Sequence, residues 1–413
     1  MGPAIILDKS TLQGLSPDEL INLHKYYTIN VTEVLTMEIL ADLKLKKTGK
    51  TEYEKVKIIA NKILNMDMVI NAHYLHMLYN SVGGYEPVLD GRPNLPGGRA
   101  VVDKNGNKGV VFEPSEEEIA LNRWRAGEFK EAEEVLAMRW RSAIENIDLE
   151  SLVRIRKEMK ATFLSLEDIR TRIEAMFENP QSQASLVVWL GKEFAFSDKL
   201  KVLAMKRLGS DQQERLLKNV APYASYCLKV NLIFKYGVMY GFIGTRATNR
   251  IDMQYLYYLP FCDIFTSNDK FHADIAPLLL RPYQIFASGL ELKQDLSNIA
   301  RHKGGEPIAP SGPPDIKNSL TVSLWRKKLK SNPLSASDRI SPNKRTEKSD
   351  ARAVSHSQYL AGLIDDPKSH YHGVLDNNEI DFMIVKRLVG PGDPCPCKSG
   401  KLFKDCHWDE IDK

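Results

Sequence analysis

Cysteine is scarce and unevenly placed: five in 413 residues, three of them within 395–406, while Cys227 and Cys262 stand alone in apolar sequence. An odd, clustered set argues against a disulfide framework. The two isolated thiols are expected as small buried hydrophobes. Long apolar runs are also missing, and none approaches the roughly 18 residues that cross a membrane. The first apolar run, residues 4–7, stops at Asp8. That is too short for the roughly 7–15-residue core of a secretory signal. Ile6 stands where a myristoylation signal requires Ser or Thr. A cytoplasmic protein without membrane contact is therefore expected. A large charge of one sign is lacking as well: the net charge is +4.

What is present is enough apolar sequence, 43%, for a sizeable core. The length exceeds one typical domain of roughly 100–200 residues. The modest positive charge is concentrated: residues 301–352 carry twelve Lys and Arg against five Asp and Glu, leaving the remainder of the chain slightly acidic. Such a segment suits a surface that meets polyanions, and equally a solvated linker.

Residues 4–7 read as a buried strand and residues 26–31 as a second, followed by a helix over 36–45. From 52 to 79 apolar residues recur at helical spacing (Val56, Ile59, Ile63, Met66, Ile70, His73, Met77). His73 and His76 lie on this face and read as core or surface residues rather than ligands. Residues 83–109 are rich in Gly and Pro, and Asn105-Gly106 between two valine-rich runs predicts a hairpin. From 114 to about 240 the pattern is mostly helical. Ser115 with Glu118, and Ser165 with Asp168, are expected N-terminal caps. A strand–helix–strand pattern resumes near Asp252. The division that follows is a body over 1–300 with a helical insertion at about 50–240, a basic mobile linker over 301–357, a short connecting segment over 358–390, and a tail unit over 391–413.

The tail reads Cys395-Pro-Cys397-Lys-Ser-Gly-Lys-Leu-Phe-Lys-Asp-Cys406-His407. Thiolate and imidazole are preferred zinc donors, and four of them complete a tetrahedron. Cys395 and Cys397 sit on one tight turn, Ser399-Gly400 lets the chain reverse, and Cys406-His407 returns two further donors. A unit this small buries too little apolar surface to fold alone, so structural zinc would supply its folding free energy. The segment resembles the SEC-C motif, with Lys398 in place of the family's usual first Gly. The resemblance implies a zinc-dependent docking module for a protein or ribosome surface, and it names no activity.

A second constellation is carboxylic. Asp8 follows the first strand, Asp252 opens a helix, and Asp269 lies just beyond the strand expected at 261–266. In open parallel α/β sheets, ligands collect outside the carboxyl ends of the strands. Glu38 and Asp42 would share a helix face. Converging carboxylates repel one another, and Mg²⁺ or Mn²⁺, which prefer oxygen ligands, would relieve that. The order Asp8, Glu38, Asp252 and Ser267-Asn268-Asp269 resembles the PIN-domain nucleases. That resemblance implies a Rossmann-like parallel sheet with a large, mostly helical insertion, and metal-dependent phosphodiester hydrolysis, usually of RNA, with Asp8, Glu38, Asp252 and Asp269 binding the metal. Glu33 competes with Glu38 for the second place. Arg246, Asn249 and Arg250 precede Asp252, and Arg246 and Arg250 are candidate phosphate contacts. Lys270 and His272 are weaker candidates, and Asp263 reads as structural. The expected function is a cytoplasmic Mg²⁺- or Mn²⁺-dependent nuclease acting on RNA. The alternative is a non-catalytic protein that docks to RNA or the ribosome through the same scaffold and zinc knuckle.

Overall fold

Short apolar runs become strands because their backbones find partners far away in sequence. The computed structural model describes residues 2–44, 51–66, 68–96, 98–102, 108–112, 114–156, 162–209, 216–301 and 314–331. Seven strands occur among them: β1 (Ala4–Leu7), β2 (Thr28–Val31), β3 (Val69–Ile70), β4 (Gly98–Val102), β5 (Lys108–Phe112), β6 (Ile264–Ser267) and β7 (Ile285–Ser288). Five form one sheet in the order β3-β2-β1-β6-β7, and every pairing in it is parallel. Ile5 pairs with Ile29 on one side and Ile264 on the other. All four residues of β1 and of β6 are buried, as expected where helices cover both faces of a parallel sheet.

The order sets the position of the site. From β1 the chain adds β2 and β3 on one side, and much later β6 and β7 on the other. The reversal falls between β1 and β6, and outside their carboxyl ends a crevice opens. Asp8 and Asp269 lie at those two ends.

Two local readings change. The strand expected at 26–31 begins at Thr28, because the N–H groups of Tyr26 and Tyr27 both donate to the Leu23 carbonyl at 3.0 Å, closing the preceding helical turn. The helical spacing over 52–79 is interrupted: helix Glu52–Asn65 ends, β3 pairs with Asn30 and Val31, and helix Tyr74–Gly83 follows. The Asn71 N–H donates to the Val31 carbonyl at 2.9 Å. The sheet edge offers backbone partners that outweigh side-chain periodicity, which tertiary context routinely overrides. The hairpin forms as expected, with β4 and β5 antiparallel and Val102 opposite Lys108; its turn residues Asn105 and Gly106 lie outside the described set. Ser115 accepts from the Glu118 N–H and Ser165 from the Asp168 N–H, so both expected caps are in place.

Between β5 and β6 the described chain is helical, yet it shares the sheet's core. Helix Pro222–Met239 has thirteen of its eighteen residues buried, which explains its lack of a polar face. Tyr223 and Tyr226 donate their hydroxyls to the carbonyls of Tyr257 (3.1 Å) and Leu256 (2.8 Å), tying that helix to the segment before β6. Cys227 and Cys262 are buried free thiols.

Part of the segment expected as a basic linker folds onto this body. In helix Leu320–Ser331, the Asp295 carboxylate accepts from the backbone N–H groups of Leu320 (3.0 Å) and Thr321 (2.8 Å). Tyr27 donates to the Thr321 carbonyl at 2.6 Å, and the Tyr26 and Trp325 rings meet edge-on at 6.4 Å. Lys328, 3% exposed, lies 3.4 Å from Asp263. A basic helix with one apolar island reads as linker until its distant partners are known. The remainder of that segment, the connecting segment 358–390 and the tail 391–413 with Cys395, Cys397, Cys406 and His407 lie outside the described residues.

Candidate functional site

Each acid reaches the crevice through an ordinary local rule. Asp8 ends β1 and caps helix Lys9–Gly14, accepting from the Thr11 N–H at 2.8 Å. Asp269 follows β6 and caps helix Lys270–Leu279 in the same way, accepting from the Phe271 N–H at 2.7 Å. A capping carboxylate also answers the positive end of its helix. Asp252 lies in the first turn of helix Asn249–Leu256, and Glu38 near the end of helix Glu33–Leu40. Together with Asp42, these four acids line one crevice of about 600 Å³. Residues 8–42 and 252–269 thus meet at one spot.

Their charges are unequally answered. Burial pushes the Asp252 carboxyl up to about 8, with the nearby charges of Glu38 and Asp269 adding and Arg246 opposing. Burial also raises Glu38, against the pull of Lys9 and of the Tyr255 hydroxyl that donates to its carboxylate. Burial is the largest influence on Asp269 and works against its charge, but the hydrogen bonds from Arg246 and the Phe271 N–H, with the charges of Arg246 and His272, together hold this group below the usual range. One Arg246 nitrogen touches both Asp269 (2.8 Å) and Asp252 (3.1 Å), and Asn249 steadies the guanidinium by accepting from Nε at 3.2 Å. Lys9 donates to the Asp42 carboxylate and the Glu38 carbonyl, both at 2.8 Å.

Behind the acids runs a buried relay. Ser267 Oγ lies 2.6 Å from Asp8 Oδ2 and 2.8 Å from His272 Nδ1, and it accepts from the Asp269 N–H at 2.9 Å. His272 Nε2 is 2.7 Å from the Asp252 carbonyl, which can only accept, so that nitrogen carries a proton. Burial pushes His272 below its ordinary value. One serine hydroxyl therefore links the supports of three acids.

The residues expected at the site separate clearly. Asp8, Glu38, Asp252 and Asp269 come together, and Arg246 stands over them. Arg250 does not: it is 7% exposed, and with the Asn231 amide oxygen turned toward it, its Nη1 lies 3.2 Å away inside the helical body. On helix Asn249–Leu256, Arg250 falls on the opposite side from Asp252, which corrects its reading as a phosphate contact. Glu33 is buried against His73 Nε2 at 3.3 Å, so Glu38 is the acid that faces the crevice. Asp263 lies at the amino edge, accepting from the Ala4 N–H at 3.0 Å. Tyr255, Lys9 and Lys55 were not anticipated. Tyr255 is three residues from Asp252 on one helix face and could have been found by that spacing. Lys55 lies on helix Glu52–Asn65 and carries no motif.

The SEC-C motif family matches residues 393–409, the stretch that holds Cys395, Cys397, Cys406 and His407. Comparison with curated proteins and with solved structures finds no match. Among the described residues, no helix is long and apolar enough to cross a membrane.

Proposed function

We propose that this chain is a PIN-like, divalent-metal-dependent nuclease that hydrolyses phosphodiester bonds of RNA. The observation that carries this reading is the unbalanced acid at the centre of the crevice. Asp252 is largely buried beside Glu38 and Asp269, its side chain 16% exposed, and among the described residues the cation bonded to it is Arg246, itself 58% exposed. Carboxyls so placed are held for a cation stronger than a guanidinium. The oxygen-only donor set of Asp8, Glu38, Asp252 and Asp269 fits Mg²⁺ or Mn²⁺. Among the described residues, no three His, Cys, Asp or Glu side chains are already gathered as a metal site. Metal entry therefore requires Arg246 to swing out, which its exposure permits. When bound, such a metal polarises water and stabilises the leaving oxygen. The chain's own part is positioning: Tyr255 orients Glu38, the Ser267–His272 relay orients Asp8 and Asp269, and the displaced Arg246 faces the phosphate. The basic residues of 301–352 other than Lys328, which is buried against Asp263, would add affinity for RNA regardless of sequence. The SEC-C tail would hold structural zinc and dock to a protein or ribosome surface.

A second reading keeps the scaffold without the chemistry. Arg246 already bridges two of the acids, so the crevice could be closed and the protein a docking factor for RNA or the ribosome. Purified protein with single-stranded RNA and DNA, in Mn²⁺ or EDTA, separates the two. The nuclease reading expects Mn²⁺-dependent cleavage that Asp252→Asn abolishes; cleavage indifferent to both chelation and that substitution, or none at all, removes it.

A further inference from the structure

The crevice of acids also gathers cations. Three positively charged side chains stand at the crevice. Lys9 is engaged by Asp42 and the Glu38 carbonyl, and Arg246 by Asp252 and Asp269. Lys55 differs: its side chain lines the crevice, its Nζ is buried, and that nitrogen has no hydrogen-bond partner. A desolvated ammonium without a partner is costly. Its position adds to the cost. Lys55 lies in the first turn of helix Glu52–Asn65, where the helix dipole disfavours a cation. That turn is fixed by a reciprocal cap, with Thr51 accepting from the Glu54 N–H at 3.2 Å and Glu54 from the Thr51 N–H at 2.9 Å. The helix start therefore fixes the backbone that carries Lys55 beside the crevice, although none of the crevice acids pairs with its ammonium.

We infer that Lys55 is a substrate-positioning residue that seats a phosphate of the bound strand, neighbouring the one that meets the acids. This rests on the reading of the crevice as a nucleic-acid site and adds a second seat to it: the acids for the reacting phosphate, the Lys55 ammonium for its neighbour. The anionic partner that the buried Nζ lacks is supplied by the ligand. A crevice of about 600 Å³ has room for both groups.

The test is equilibrium binding of a fluorescently labelled single-stranded oligouridylate, followed by anisotropy over a range of salt. It is run in an Asp269→Asn background with Ca²⁺, so that cleavage does not consume the probe. Lys55→Gln should weaken binding roughly tenfold, the order of one charge-assisted hydrogen bond. It should also make the salt dependence shallower by about 0.7 in the log–log slope, the effect of one lost phosphate contact on a single strand. Lys55→Arg should restore most of both, and the salt slope is the readout that a purely structural role for the stem would not move. Unchanged affinity and slope in a folded Lys55→Gln protein would overturn the inference while leaving cleavage by the unsubstituted protein untouched. Loss of binding in Lys55→Gln, where no form of the protein cleaves, would instead keep the phosphate seat and remove the nuclease reading.

Discussion

Asp252 concentrates the electrostatic tension of the crevice, and its protonation should be visible in stability. Its folded-state value of about 8 lies above that of an unfolded aspartate. Between those values the folded chain binds the extra proton, so stability is greatest at the acid end and falls as pH rises toward 8. In EDTA, the melting temperature is expected to decline over that range because of this group. Asp252→Asn should flatten the decline and stabilise the chelated protein above pH 8. A pH profile identical in the two proteins would contradict the burial argument. Arg246 yields a second expectation at this scale. On the proposed reading Arg246 would compete with metal for Asp252 and Asp269, so Arg246→Ala should bind Mn²⁺ severalfold tighter by calorimetry, yet cleave more slowly. Weaker Mn²⁺ binding would show that the guanidinium supports the site rather than guarding it. Asp8, Asp252 and Asp269 were legible in the sequence because each follows a local rule of strand end or helix start. The choice of Glu38 over Glu33 was not, since it depends on which face of one buried helix meets His73. Arg250 was misplaced for the same reason: adjacency in sequence says nothing about direction around a helix.

At the scale of elements, the crevice depends on how closely helix Gly289–Arg301 approaches helix Lys9–Gly14 and Asn268, the residue that follows β6. A methyl group on Gly289 would stand 2.3 Å from the Thr11 hydroxyl and 2.9 Å from the Asn268 amide. The Asn268 side chain meanwhile accepts from the Leu290 N–H at 2.7 Å. Gly289→Ala is therefore expected to cost about 1–3 kcal/mol in urea unfolding, the usual range for overpacking, and to lower cleavage by displacing the loop before Asp269. Full stability in that variant would mean the helix shifts freely. The parallel sheet was legible from its short apolar strands. The third strand was not: Val69–Ile70 is two residues long and continues the spacing of a helix. It exists because β2 offers it an edge, a fact about tertiary pairing rather than local pattern.

At the scale of the molecule, the last described element, helix Leu320–Ser331, rests at the amino edge of the sheet through Tyr27, Asp295 and Asp263. Its buried pair should matter. Lys328→Ala would leave Asp263 without its cation, and removing one member of such a pair costs about 3–5 kcal/mol. A urea midpoint unchanged by that substitution would show that the Lys328–Asp263 pair contributes nothing to the helix's docking. This helix was illegible as structure because its composition is that of a solvated segment, and each of its anchors lies in another part of the chain.

The same docking gives the molecule two poles. Ser331 leaves the body from the edge where β1 and β6 begin, whereas the acids open where those strands end. A label placed on this helix would therefore report from the edge opposite the acids, and a probe bound among the acids should leave its signal unchanged.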